Sequence, residues 1–307
     1  MTPDEFTIQE TFVDVGDGHQ LYIHDWGNKE ARSPFMFLHG GPGLGTNNVY
    51  RSYFNPYEQR VIFFDQRGAG RSVPHGSLDH NTTTDLVEDI EKIAKHLKIE
   101  RFILTGAGGA WGTCLALSYA LKYPERVSSL VLHGIFTGSK LEIEFWTHGA
   151  FRSFFPDAWD QFLDQTPKSN HHDPAQYHYE RILGRDPQAM HESAYVYATL
   201  ESSIAHLDDR YNPPSLEDFD PSGTRIEVHY LTNNFFIPDR YILDNAHKLI
   251  MPTWIVQGRY DFICPPSTAY ELNNRIPGST LLWTMAGHTG RDRSNYDVVR
   301  TILAQWS

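Results

Sequence analysis

Hydrophobic and polar positions divide the chain into short apolar runs, glycine-rich connections and stretches of helical period. Residues 6–26 alternate in a strand-like way around Gly16-Asp17-Gly18, which suits a hairpin turn. Phe35-Met36-Phe37-Leu38 and Val61-Ile62-Phe63-Phe64 are continuous apolar runs, the mark of strands buried on both faces. Thr82 to Leu97 has helical period, with Leu86, Ile90, Ile93 and Leu97 on one face and Asp85, Glu88, Glu91 and Lys95 on the other. Phe102-Ile103-Leu104, Val127 to Leu132, Pro252 to Val256 and Ser279 to Met285 predict further strands, and Tyr296 to Trp306 predicts a closing helix. Strands alternating with helices imply an α/β fold, with a mainly parallel sheet covered by helices on both faces.

Between Phe136 and Asn245 the texture changes. Aromatics, histidines, prolines and charges mix there, strand-like runs are scarce, and helices are predicted at 157–165, 174–183 and 187–206. The chain therefore divides into a core of residues 1–135 and 246–307 and a mostly helical insertion, 136–245. Such a cap would lie over the C-terminal edge of the sheet, where open α/β folds bind ligands.

Thr105 to Tyr119 passes from a strand into a helix through a turn packed with glycine. It resembles the nucleophile elbow of an α/β-hydrolase, G-x-Nu-x-G, whose nucleophile holds a strained backbone conformation. Gly108 and Gly112 flank the turn, and the nucleophile position between them is Ala110. A methyl group cannot attack a carbonyl. Downstream, Asp261 and His288 each follow a predicted strand, in the order nucleophile, acid, histidine of that fold's triad. The acid would orient the imidazole, and the imidazole would move protons. Upstream, His39-Gly40-Gly41-Pro42-Gly43 reads either as an oxyanion hole or as a tight strand-to-helix turn, and the elbow favours the first. Asp65 and Arg67 read as a charged pair pinning a loop. Cys114 lies one helical turn beyond Ala110 and should point into the core, and Thr105 and Thr113 lack a base; all three read as packing residues.

At 307 residues the chain can bury a large core, and its 26 basic against 38 acidic residues give a net charge of −12. That balance argues against nucleic acid and anionic membranes as partners. No apolar run approaches the ~20 residues of a membrane span, and Met1 to Glu10 has no signal-peptide pattern. The two cysteines, Cys114 and Cys264, suit a reducing compartment, so a cytoplasmic protein is expected. No cofactor and no metal are expected.

H-G-G-P-G (39–43), D-Q-R-G-A-G-R-S (65–72), N-T-T-x-D-L-V-E-D-I-E (81–91), G-G-A-W-G (108–112), Y-P-E-R-V (123–127), F-P-D-A-W (155–159), G-R-Y-D-x-x-C-P (258–265) and A-G-H (286–288) together resemble the proline iminopeptidases. These are α/β-hydrolases that remove an N-terminal proline from peptides, and the resemblance runs over nearly the whole chain. It implies that Ala110 replaces the nucleophilic serine, that Asp261 and His288 complete the triad, and that the amides of Gly41 and Trp111 line the oxyanion hole. It also implies that Glu201 and Glu227 bind the free amino group of a small-molecule or short-peptide substrate.

Three departures stand against the agreements: the serine is alanine, the lead-in Leu104 to Ala107 is a residue or two longer than the family's, and His133 stands where arginine is usual. An engineered serine-to-alanine change accounts for the first only, divergence for all three. The leading expectation is thus a non-hydrolytic enzyme of lyase, isomerase or cyclase type, using Asp261, His288 and the oxyanion hole. A prolyl aminopeptidase inactivated at Ala110 and a binding protein without chemistry are the alternatives.

Overall fold

The computed structural model describes residues 5–148, 150–207 and 214–306. Strands β1 (Thr7–Gly16) and β2 (His19–Gly27) form the expected hairpin, with Gly16, Asp17 and Gly18 all at positive φ in its turn. Next come β3 (Phe35–Phe37), β4 (Arg60–Phe64), α1 (Thr83–His96), β5 (Phe102–Gly106), α2 (Trp111–Lys122) and β6 (Val127–His133). Among the described residues, six α-helices follow before another strand: α3 (Lys140–His148), α4 (Pro156–Asp164), α5 (Pro174–Ile182), α6 (Pro187–Ala205), α7 (Ser222–Thr232) and α8 (Tyr241–Asn245). The chain closes with β7 (Thr253–Gly258), α9 (Pro266–Arg275), β8 (Thr280–Thr284) and α10 (Arg293–Leu303).

One eight-stranded sheet runs in the order β1-β2-β4-β3-β5-β6-β7-β8. It is parallel from β4 to β8, and β2 pairs antiparallel with both β1 and β4. The apolar runs work because successive side chains alternate between faces. Met36, Ile62, Phe64 and Leu104 enter one core cluster with α1 and α2, while Phe35, Phe37, Val61, Phe63 and Ile103 enter another with Val299, Ile302 and Leu303 of α10. The fold is that of an α/β-hydrolase. Its strand order reverses beside β3, so the loops leaving β3 and β5 meet where such sheets bind ligands.

Two charge expectations need correction. Asp65 does not pair with Arg67: it binds Arg71 (Nε to Oδ2, 2.7 Å) and Thr46, whereas Arg67 makes a bidentate pair with Asp89 on α1. Both pairs still pin loops. Glu91 is not on a solvated face, because Tyr119 and Arg126 hold it in a buried position against α2 and the start of β6.

The helical stretch between β6 and β7 attaches to the rest unevenly. Tyr230 of α7 donates to Asn81 Oδ1 (2.9 Å), and Thr83 Oγ1 donates to the carbonyl of Phe235. Asn234, Phe235 and Phe236 take left-handed backbone conformations (φ 50°, 54° and 53°), rare for residues with side chains. Phe151, Phe162, Leu200 and Ile204 form a separate cluster around α4 and α6. Among the described residues no helix is long and apolar enough to cross a membrane.

Candidate active site

The connection from β5 to α2 is tight because it has no room. A Cβ on Gly40 would lie 2.6 Å from the carbonyl oxygen of Gly108, and one on Gly108 or Gly112 would meet the Leu38–Gly40 backbone. Ala110 stands at the head of α2 with φ 35° and ψ −105°, outside the regions that alanine prefers. The longer lead-in has not displaced this turn from the cavity described below. Behind it, Gln66 ties the two loops together. Its amide accepts from the Trp111 indole (2.7 Å) and donates to His39 O (3.1 Å), and its backbone N–H donates to His39 Nε2 (3.0 Å). His39 therefore carries its proton on Nδ1, which donates to Gly40 O at 2.9 Å, and burial holds its pKa below the usual range. Among the turn and loop bonds of the described residues, none takes the backbone N–H of Gly41 or Trp111 as donor.

Asp261 and His288 meet above the ends of β7 and β8, Nδ1 to Oδ2 at 2.9 Å. The carboxylate is well braced: Oδ1 accepts from the Ile263 and Cys264 amides, and Oδ2 also accepts from Gln257 Nε2. Burial depresses the imidazole, but Asp261, with help from Glu201, outweighs it and raises the His288 pKa. The far edge of the ring faces the elbow. A Cβ on Gly109 would lie 3.5 Å from Nε2, and one on Gly134 would lie 3.3 Å from Cε1 and 3.6 Å from the Ala110 nitrogen. Beneath, His133 is fully buried with neither ring nitrogen partnered, and burial lowers its pKa to about 4.

Glu201 of α6 and Glu227 of α7 line the same cavity as Gly41, Ala110 and His288, a cleft of about 220 Å³. With Gly41 and Ala110 they also line a smaller inner pocket of about 50 Å³, walled by Phe136, Ile143, Trp146, Phe235 and Cys264. Burial raises the pKa of both carboxyl groups, and the two lie close enough to act on each other. Two buried carboxyl groups so placed resist carrying two charges at once. Tyr197 supports the pair, donating to Glu227 Oε1 (3.3 Å) and accepting from the Trp146 indole (2.5 Å). A larger hollow of about 680 Å³ lies between α4, α5 and α6, but none of these groups reaches it.

Of the residues singled out from the sequence, Ala110, Gly41, Glu201, Glu227 and His288 share one cavity, and Asp261 stands directly behind His288. The Trp111 side chain is buried, so only its amide bears on the site. Of the aromatics between Phe136 and Asn245, Trp146 and Phe235 line the inner pocket, Tyr195 faces the larger hollow, and Phe236 packs on His229 and Tyr230. Cys114 is buried and its thiol is pushed well up by burial, while Thr113 Oγ1 donates to Ala110 O and accepts from Phe136 N. Sequence reasoning missed Gln66 and Gln257. Each is a glutamine at the end of an apolar strand, and that was a usable signal.

Asp261, Cys264 and His288 offer ligand atoms within 4.8 Å of one another. They fit a metal ion poorly. Both carboxylate oxygens already accept N–H groups, Nδ1 is spent on Asp261, and burial keeps the Cys264 thiol protonated.

The alpha/beta hydrolase fold family matches residues 33–290. A probable proline iminopeptidase of Leptolyngbya boryana is 39% identical over 290 residues, covering 92% of this chain and 88% of that protein. The proline iminopeptidase of Arabidopsis thaliana is also 39% identical, over 91% of this chain and 74% of its own. Among solved structures, the proline iminopeptidase of Mycobacterium smegmatis superposes with a TM-score of 0.62 at 20% identity, over 97% and 98% of the two chains, which speaks to the fold. Sequence kinship over nine-tenths of the chain, on a sheet of this order, has one reading: the chain belongs to the proline iminopeptidase family of α/β-hydrolases.

Proposed function

We propose that this family member binds a small amine-bearing molecule and acts on it by proton transfer, without a covalent acyl-enzyme. The observation that carries the reading is the His288 imidazole, held by Asp261 and turned toward the elbow in a cavity that also contains Glu201 and Glu227. Residues 136–245 act as a cap over a core of 1–135 and 246–307. The two glutamates receive the ammonium, which offsets the cost of burying both charges. His288 takes or gives a proton, and the Gly41 and Trp111 amides stabilise an enolate or alkoxide oxygen. Ala110 occupies the nucleophile position, so serine-type acyl transfer is lost. Lyase, isomerase and cyclase reactions all use this set. The buried free thiols of Cys114 and Cys264 accord with a cytoplasmic setting.

A second reading, an aminopeptidase silenced at one position, is favoured by the strained conformation that Ala110 retains. One substitution separates the two. Ala110→Ser, assayed on a proline amide reporter, stays inactive under the first reading. Under the second it recovers hydrolysis by several orders of magnitude, the usual cost of losing an activated serine. Turnover of small amines that survives His288→Ala overturns the acid–base role, and binding without turnover in either protein marks a carrier.

A further inference from the structure

The cleft that holds Glu201 and Glu227 has a cation at its mouth. Arg291 lines the same cavity, beyond His288, in the loop that joins β8 to α10. It is exposed, and among the described residues its guanidinium forms no ion pair, in a chain of net charge −12. Its loop is held in place: Tyr53 donates to Gly290 O (3.0 Å), and the Arg291 amide donates to Thr289 Oγ1 (3.2 Å). Tyr50 and Tyr53 form the wall beside it, close enough for its charge to act on both phenols.

The cavity is therefore acidic at its inner end and basic at its rim, and its size bounds what can lie between. At about 220 Å³ it is smaller than the roughly 300–1,000 Å³ of pockets that take drug-sized ligands. We infer that the ligand is a small zwitterion of dipeptide size, its ammonium on Glu201 and Glu227 and its carboxylate on Arg291. This rests on the reading that the two glutamates receive an amine, and it adds the chemistry of the other end. Guanidinium suits the role because its planar fork matches a carboxylate. Exposure limits the gain: a solvent-facing ion pair contributes only a few-fold in affinity and weakens with salt.

Calorimetric titration of the protein as it stands tests this, since Ala110 leaves no serine to cleave the probes. Prolylglycine should bind about threefold to fivefold tighter than prolylglycinamide at low salt, the most that ~1 kcal/mol provides. In Arg291→Gln that preference should vanish while the affinity for the amide stays the same. Equal affinities in the unaltered protein, or a preference that survives Arg291→Gln, overturns the proposal. Prolylglutamic acid α-amide, with only its side-chain carboxylate free, should behave like prolylglycinamide; tight binding that depends on Arg291 would assign the rim to a side chain instead and overturn the dipeptide limit. N-acetylprolylglycine isolates the other end: binding as tight as that of prolylglycine defeats the amine reading, and the Arg291 comparison is still scored on its own. If neither prolyl peptide binds, both readings fall.

Discussion

The Trp111 indole and the Gln66 side chain are joined at 2.7 Å in a fully buried position, and this bond fastens the elbow to the loop after β4. Trp111→Phe keeps most of the packing and removes the donor, leaving Gln66 Oε1 buried without a partner. An unsatisfied buried acceptor costs about 1–3 kcal/mol, readable as a shift of the denaturation midpoint at constant slope. A change within about 0.5 kcal/mol would mean that the loops are held by something else.

Glu227→Gln should stabilise the empty protein. The folded-state pKa of Glu227 lies above the usual range, because burial and Glu201 oppose its charge. The stability this group lends is complete below the ordinary glutamate pKa of about 4.3 and is lost as pH rises through the folded value. Glutamine keeps the acceptor for Tyr197 and has no charge to bury. Thermal denaturation at pH 8 should show a gain of about 2 °C or more, roughly 1 kcal/mol in a large domain, closing as pH approaches 4.5. Amine binding should fall in the same variant. A variant less stable at pH 8 than the parent would contradict the strained-pair account.

Acid should loosen the molecule through His133 and His178. Burial holds both pKa values down to about 4. Each ring must stay neutral to remain buried, so its contribution is complete above the ordinary imidazole pKa of about 6.5 and is lost as pH falls toward and through 4. His133→Leu, which also removes two unpartnered ring nitrogens, should show a shallower fall in melting temperature between pH 6.5 and 4. Parallel curves for parent and variant would remove His133 from this role.

What the sequence made legible was whatever local pattern encodes. Continuous apolar runs located β3, β4 and β5 to within a residue or two, apolar spacing located α1, and the helices predicted at 157–165, 174–183 and 187–206 match α4, α5 and α6 as closely. The glycines of 39–43 and 108–112 announced a close approach, and the approach is there. Helices α3, α7, α8 and α9 were not foreseen, nor was the left-handed turn at Asn234–Phe236, which contains no glycine to mark it. Charge partners were the weakest point. Arg71 and Arg67 both lie within reach of Asp65 along the chain, and only the placement of α1 decides that Arg67 turns to Asp89. The contact between Glu201 and Glu227 likewise depends on how α6 packs beside α7, a relation that no local period contains.

The clasp on the Asn234–Phe236 turn has a mechanical consequence. Thr83 holds Phe235 and Asn81 holds Tyr230, so α7 is tied to the sheet and its helices, whereas α6 divides its packing, Ala194 and Tyr197 in the main core and Leu200 and Ile204 in the small cluster shared with α4. The amide of Thr289 also donates to Ala205 O at 3.1 Å, so the C-terminal end of α6 is fastened to the loop that carries His288. Glu201 and Glu227 stand where α6 and α7 face each other, so a charge arriving between them would act on the seam that joins a helix tied to the sheet to a helix tied to the His288 loop.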